Sequence, residues 1–349
     1  MGPESQHFPY ERDDGVVAIR RGIRNEDTNQ YLLEGGIGTG SILYTPHCEE
    51  TWILTAAHCL VSEGKHTKQP SSLMVCAISI VAPIMGILPG GGYLAQKIFN
   101  AWHGIGYHNP ENLHEYSADQ VVVQTHFCPR VTSYAAKEVY VHPDYWTTKR
   151  IDLALIKLDS KVPTAYPFSL PSNLDLDPAT PLDIYGYGIT GSFNLNTGWN
   201  THSTQEKRRG KVFVASSYNL SVTEFGIQDS GNYLYSYHVP ENCLIDSNER
   251  NAILKRVYGG LPPSPTFLAG GDSGGPLALL EAAEDSKVIY GVTSTGSLQG
   301  ICLRERGVDA WFIPRFLILA PYFPKAQYTP VFPHLKWMKD TIGASSEQE

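Results

Sequence analysis

Gly270-Gly271-Asp272-Ser273-Gly274-Gly275-Pro276 sets four glycines around one serine. Glycine lets a backbone turn sharply and present its N–H groups to a ligand, so the stretch reads as a backbone anion cradle with a hydroxyl at its centre. A plain loop rarely needs that much freedom. A serine hydroxyl is a weak nucleophile at neutral pH, so a catalytic reading requires a base, and the base requires a group that holds its tautomer. Both types lie upstream. Thr55-Ala56-Ala57-His58-Cys59 ends an apolar strand with a histidine among small residues, where an imidazole has room to reach another segment. Asp152 directly precedes the apolar run Leu153-Ala154-Leu155-Ile156-Lys157-Leu158. A carboxylate placed there is partly buried and needs a partner, and a histidine N–H is a suitable one.

Each of the three has a plain explanation on its own. A histidine at a strand end is more often structural, an aspartate before a strand is usually a turn former, and Gly-x-Ser-x-Gly occurs by chance. Their conjunction differs. In the chain order His58, Asp152, Ser273, the segments Thr-Ala-Ala-His-Cys, Asp-Leu-Ala-Leu-Ile-Lys-Leu and Gly-Asp-Ser-Gly-Gly-Pro resemble the chymotrypsin-like (trypsin-like) serine protease family. Further patches are similar to it: Tyr185-Gly186-Tyr187-Gly188 to the first strand of its second barrel, Ser294-Thr295-Gly296 to its substrate-binding strand, and Tyr328-Thr329-Pro330-Val331 with the helix after it to its carboxyl-terminal close.

The resemblance implies an all-β fold of two antiparallel six-stranded β-barrels with a C-terminal α-helix and long loop insertions, and an active site in the cleft between the barrels. It implies peptide hydrolysis through an acyl-enzyme, with Ser273 as nucleophile, His58 as general base and acid, and Asp152 orienting the imidazole. The N–H groups of Gly271 and Ser273 would bind the oxyanion. Ser294, Thr295 and Gly296 would line the substrate strand, the carbonyl of Ser294 beside the catalytic carboxylate, and Phe267 would stand at the floor of the specificity pocket. Phe267 is not acidic, so an apolar P1 side chain is expected rather than Arg or Lys, although Asp309 could enter the pocket from a later insertion. The implied partner is a polypeptide substrate, with a protein inhibitor as a second class, and no cofactor or metal is called for.

Composition agrees with strands and turns. The chain has 349 residues, 32 Gly, 24 Pro and 20 Tyr, with only 18% charged residues, which disfavours long helical bundles. A net charge of −8, with no basic block longer than Lys207-Arg208-Arg209, argues against nucleic-acid binding. Short apolar runs between turn signals predict strands at Val16 to Ile19, Ser41 to Tyr44, Trp52 to Ala56, Val121 to Val123, Leu153 to Leu158, Leu182 to Ile189, Val212 to Ala215 and Val288 to Thr293. In the last, Val288, Tyr290 and Val292 share one face, the pattern of a sheet packed on one side. Pro333, Leu335, Met338, Ile342 and Gly343 predict a helix that stops at the glycine.

The domain reading is an extension over 1–14, a peptidase domain over 15–343 (first barrel about 15–160, second about 176–332, helix 333–343), and a tail over 344–349. Met1 to Asp14 holds no apolar run resembling a signal peptide, so an exported or extracellular destination rests on the resemblance alone. Leu73 to Leu88 is apolar, but it is short for a membrane span and Pro83 interrupts it. Leu88 to Ala118, with its glycine run, and Asp246 to Pro265 read as surface insertions; no Gly-Lys-Ser or Gly-Lys-Thr follows the glycines to make a phosphate loop.

Three features depart from the family's pattern. The separations between the triad members are longer than compact members need, so loops have grown, which costs little in closure entropy. Gly38 and Ala269 stand where cysteines are usual, so Cys48, Cys59, Cys76, Cys128, Cys243 and Cys302 cannot be paired by analogy. No Ile-Val-Gly-Gly segment is present to supply an amino terminus for Asp272, so Asp272 takes another cation or hydrogen-bond donor, or the oxyanion hole is held differently. Activity without proteolytic maturation is expected.

Two rivals are weighed. An α/β-hydrolase elbow would put a helix after Ser273 and use a later histidine such as His334, but Gly274-Gly275-Pro276 is a poor helix start. A non-catalytic binding protein on a protease scaffold normally lacks a triad residue, and all three are present.

Overall fold

The computed structural model describes residues 6–7, 15–25, 30–46, 48–63, 113–127, 130–147, 151–163, 166–173, 180–194, 198–202, 206–216, 234–237, 264–266, 268–280, 287–297 and 325–346. Phe267, Asp309, the apolar stretch from Leu73 to Leu88 and four of the six cysteines lie outside them, as does most of both predicted insertions. Two compact units are distinguished. The smaller, Val61–Glu115 with Thr223–Gln228, contributes one antiparallel ladder, β5 (Val61–Glu63) with β6 (Leu113–Glu115). Everything below belongs to the larger unit.

Its first half is a closed antiparallel barrel of β2 (Val16–Asn25), β3 (Gln30–Ile42), β4 (Trp52–Thr55), β9 (Ala154–Leu158), β8 (Arg130–Val141) and β7 (Val121–Phe127), in that order around the ring. Side chains alternate between the faces of a strand, and here the alternation feeds two cores. Val17, Ile19, Ile53, Val121, Val123, Ala154 and Ile156 belong to one buried cluster. Their neighbours Val16, Ala18, Trp52, Leu54, Leu153 and Leu155 belong to another, shared with Tyr185, Ile289, Val292 and Met338 from the second half. Burial on both faces is why these strands read as unbroken apolar runs, each such side chain contributing about 1.5–3 kcal/mol.

The second half is a nine-stranded sheet that curls into the second barrel. Its path runs β1 (Gln6–His7), β14 (Arg208–Val212), β11 (Leu182–Gly186), β17 (Pro276–Leu280), β18 (Lys287–Ser297), β19 (Lys325–Pro330), β16 (Leu234–Tyr237) and β15 (Ala215–Ser216), with β10 (Phe168–Ser169) paired in parallel to β18. Only Phe213 and Val214 separate β14 from β15, so the far end of the path returns to its start. The enclosed core includes Leu182, Ile184, Val212, Leu234, Leu277 and Tyr328. A separate hairpin joins β12 (Thr190–Asn194) to β13 (Gly198–His202).

The fold is therefore the all-β, two-barrel architecture that the sequence implies, with differences in detail. β2 and β3 run on well past their apolar runs into a hairpin arm whose Ile23, Leu32 and Leu33 are exposed. The strand expected over Val212 to Ala215 is divided between β14 and β15. Along β18, Val288 to Ser294 is buried on both faces rather than one, because its reverse side meets the shared core. The helix, α1 (Leu335–Ser346), does not stop at Gly343: a Cβ there would meet nothing within 4 Å, and the chain stays helical through three residues of the expected tail. Its Trp337 stacks 4.7 Å from the ring of His142.

Candidate active site

Strand register brings the first two residues together. β4 and β9 are antiparallel with Thr55 opposite Ala154. Residues just after Thr55 and just before Ala154 therefore emerge at the same edge of the barrel. His58 follows in a 3-10 turn, Ala57–Cys59, and Asp152 precedes β9. His58 Nδ1 lies 2.8 Å from Asp152 Oδ2, and the His58 backbone N–H donates to Oδ1 at 2.9 Å. The carboxylate is buried while the imidazole keeps 35% of its surface, so one side of the ring faces outward.

A third donor comes from the second barrel: the Ser294 hydroxyl donates to Asp152 Oδ2 at 2.5 Å. The sequence led us to expect the Ser294 carbonyl as the neighbour of Asp152, whereas the structure shows the hydroxyl as the bonding group. Burial on its own would raise the Asp152 carboxyl, but the His58 charge and the three donors hold it below its ordinary value. Burial likewise disfavours the charged imidazole, and the adjacent carboxylate outweighs it, leaving His58 well above 6.5. The pair is thus an imidazole of raised basicity fixed in the Nδ1–H tautomer when neutral.

Ser273 sits in a turn followed by a strand, β17, and not by the helix an α/β-hydrolase elbow requires. His334, the histidine that rival would need, packs against His142 instead, with ring centroids 4.8 Å apart. Two glycines shape the turn. Gly271 and Gly274 have φ of +97° and +82°, a region that side chains disfavour. A Cβ on Gly274 would fall 2.1 Å from Thr55 Oγ1, so the residue after the serine is pressed against the strand that leads to His58. The Thr39 N–H donates to the Ser273 carbonyl at 2.7 Å. Among the described residues the Ser273 hydroxyl forms no hydrogen bond, and His58 Nε2 lies 3.9 Å from Cys59 Sγ.

The amides around the serine divide into bound and free. Gly274 N–H donates to the Thr293 carbonyl at 2.8 Å and Asp272 N–H to the Ala269 carbonyl at 3.0 Å. The Gly270 carbonyl accepts from Ile189 N–H at 2.9 Å, and in a trans peptide this aims the Gly271 N–H the opposite way. Among the described residues neither Gly271 N–H nor Ser273 N–H donates to any group. These are the two amides expected to form an oxyanion hole.

Asp272 is fully buried, its Oδ1 accepting from Gly188 N–H at 2.9 Å and its Oδ2 from Ala269 N–H at 2.8 Å. Burial raises its carboxyl, and the positive charge of the amino terminus and the two N–H donors lessen the rise without reversing it. The place of Gly38 is also informative: a Cβ there would lie 2.6 Å from Sγ of Cys59, and both Cys59 and Cys48 are free thiols. On β18, where the resemblance would place the substrate strand, Thr295 is exposed and Gly296 pairs with Ala326 of β19. Thr39, unnoticed in the sequence, touches four parts of this site. Among the described residues no group of three or more His, Cys, Asp or Glu is arranged to hold a metal, and no helix is long and apolar enough to cross a membrane.

No family model matches this chain, and no curated protein matches it.

Proposed function

We propose that the protein is a serine endopeptidase that cleaves polypeptides through an acyl-enzyme. Ser273 attacks the scissile carbonyl, His58 takes its proton and returns it to the leaving amine, and Asp152 balances the imidazolium that forms between the two transfers. The Gly271 and Ser273 amides receive the developing oxyanion, a contribution of about 2.7–4 kcal/mol per donor in comparable sites. The observation that supports the reading best is the 2.8 Å bond from His58 to a buried, triply donated carboxylate, together with a serine turn in which, among the described residues, the Gly271 and Ser273 amides have no acceptor. The Ser273 hydroxyl and the imidazole come into bonding contact when substrate is bound, since such bonds are often long in the unliganded enzyme.

The P1 preference in this reading is a medium apolar side chain, on the ground that Phe267 and not an acid stands six residues before Ser273 in the sequence, where the resemblance puts the pocket floor. A fluorophosphonate probe followed by mass-spectrometric mapping tests the nucleophile, base and hole together. Modification at Ser273 that disappears with Ser273→Ala and with heat is expected; an unmodified Ser273 in native protein points instead to a binding protein built on a protease-like scaffold. A fluorogenic peptide library tests the preference, and cleavage confined to Arg or Lys reverses it.

A further inference from the structure

We infer that Thr39 is a positioning residue that sets the oxyanion hole, acting as a polar tie between the serine turn and two other segments. The inference rests on the protease reading and extends it to a residue outside the triad and the hole. Thr39 lies on β3 and is completely buried. Its hydroxyl donates to the Gly271 carbonyl at 2.9 Å and accepts from the Tyr187 N–H at 3.1 Å. Its own N–H donates to the Ser273 carbonyl at 2.7 Å, and its carbonyl accepts from the Thr55 hydroxyl at 2.8 Å. One residue thereby joins the turn bearing both hole amides, the segment after β11, and the strand ending three residues before His58.

The hydroxyl carries the consequence. The peptide between Gly271 and Asp272 is gripped at both ends, its carbonyl by Thr39 Oγ1 and its N–H by the Ala269 carbonyl. Gly271 is at positive φ with no side chain to restrain it, and this peptide joins the one that carries the Gly271 N–H to the one that carries the Ser273 N–H, so an unheld carbonyl would let it rotate and loosen the placement of the two hole amides relative to each other. The buried hydroxyl thus has both its donor and one acceptor site in use. Cys59 has no sulfur partner across from Gly38, so no covalent cross-link restrains this part of the wall, and the hydrogen bonds of the next residue act there.

The test compares Thr39→Val, which keeps the shape and removes the hydroxyl, with Thr39→Ser, which keeps the hydroxyl. Expected are a fall of about 10- to 100-fold in the rate of Ser273 acylation by a fluorophosphonate in Thr39→Val, carried in kcat with KM little changed, an unshifted His58 pH midpoint, and recovery to within a few-fold in Thr39→Ser. Acylation of Thr39→Val at the wild-type rate, or equal loss in both variants, overturns the proposal. Amide hydrogen exchange on the wild-type protein reads the tie without any variant: the Tyr187 N–H should be strongly protected and the Gly271 N–H not, and a Tyr187 amide exchanging as fast as that of Gly271 overturns it as well. Wild-type protein that keeps this exchange pattern yet never acylates refutes the protease reading, and with it the catalytic meaning of the tie.

Discussion

Gly38 and Cys59 face each other so closely that the Cβ missing from Gly38 would lie 2.6 Å from Sγ and 3.4 Å from Cβ of Cys59. The second distance is near the Cβ separation of a disulfide, about 3.8 Å. A cysteine at position 38 is therefore expected to cross-link with Cys59 under oxidising conditions and to stabilise the fold by up to about 3 kcal/mol. The same Cβ would approach the Ser273 carbonyl to 2.7 Å, so acylation should slow as the bond forms. Thiol counting and thermal unfolding of Gly38→Cys with and without dithiothreitol check both; an oxidised variant that loses no more thiols than the wild type would refute the geometry.

The basicity of His58 predicts an alkaline profile. Acylation needs the neutral imidazole, and the folded protein holds the proton well above pH 6.5. Activity should therefore rise with pH through a midpoint above that value. Asp152→Asn removes the group that raises it, so the midpoint should move down while the rate falls by about 10⁴-fold. Probe labelling across pH 5–10 gives both quantities, and an unmoved midpoint would show that Asp152 does not govern the imidazole.

Stability carries the opposite signatures of the pair. A histidine whose folded value is raised stabilises fully below its ordinary 6.5, and that contribution is lost as pH rises through the folded value; a carboxylate whose folded value is depressed stabilises above its ordinary 3.8, and that is lost as pH falls through the folded value. Ser294→Ala removes one donor from Asp152 and lessens the depression. It should cost about 1.5–3 kcal/mol at neutral pH, the range for a hydrogen bond to a charged group, and much less once Asp152 is protonated. Denaturant titrations from pH 7 downward follow the loss; one that stays constant as the folded protein is acidified through the Asp152 titration would contradict the charge-assisted bond.

The close seat of Asp272 predicts intolerance at Gly188. A Cβ there would come within 2.4 Å of Asp272 Oδ1, so Gly188→Ala must push a buried carboxylate off its two donors. A loss of about 3–5 kcal/mol is expected, comparable to breaking a buried charge from its partner, together with loss of labelling at Ser273. Urea unfolding monitored by tryptophan fluorescence measures the first. A change below 1 kcal/mol by that measure would mean that the Asp272 seat is not held in this way.

Because Asp272 already has Gly188 and Ala269 as donors, the oxyanion turn should be competent without cleavage of the chain. Active-site titration before and after limited trypsin treatment is expected to give the same burst. A burst that emerges only after treatment would show that maturation is required.

The parts of the site that could be read in the sequence are those whose chemistry is local. Small residues around His58, an acid placed directly before an apolar strand, and glycines around Ser273 each announce a geometric need. Thr39 announces nothing, since a threonine in a strand is ordinary, and its four bonds exist only once the turn at Ser273 has docked. The hydroxyl of Ser294 was hidden for the same reason. In the fold, strands buried on both faces were legible as apolar runs, but the polar arm of β2 and β3 was not, because it is held by cross-strand pairing and not by a buried face. The end of α1 was misplaced because glycine in an exposed helix lowers stability without ending the helix.

The contact between His142 and Trp337 ties the beginning of the site to the end of the chain. His142 donates its N–H to the carbonyl of Leu153, the residue after Asp152, and its ring rests on Trp337 of α1. A polypeptide emerging from a ribosome thus carries His58, Asp152 and Ser273 before it acquires the tryptophan that rests on His142. On the proposed reading, the seating of the Asp152 segment would be completed only after all three of those residues have been made.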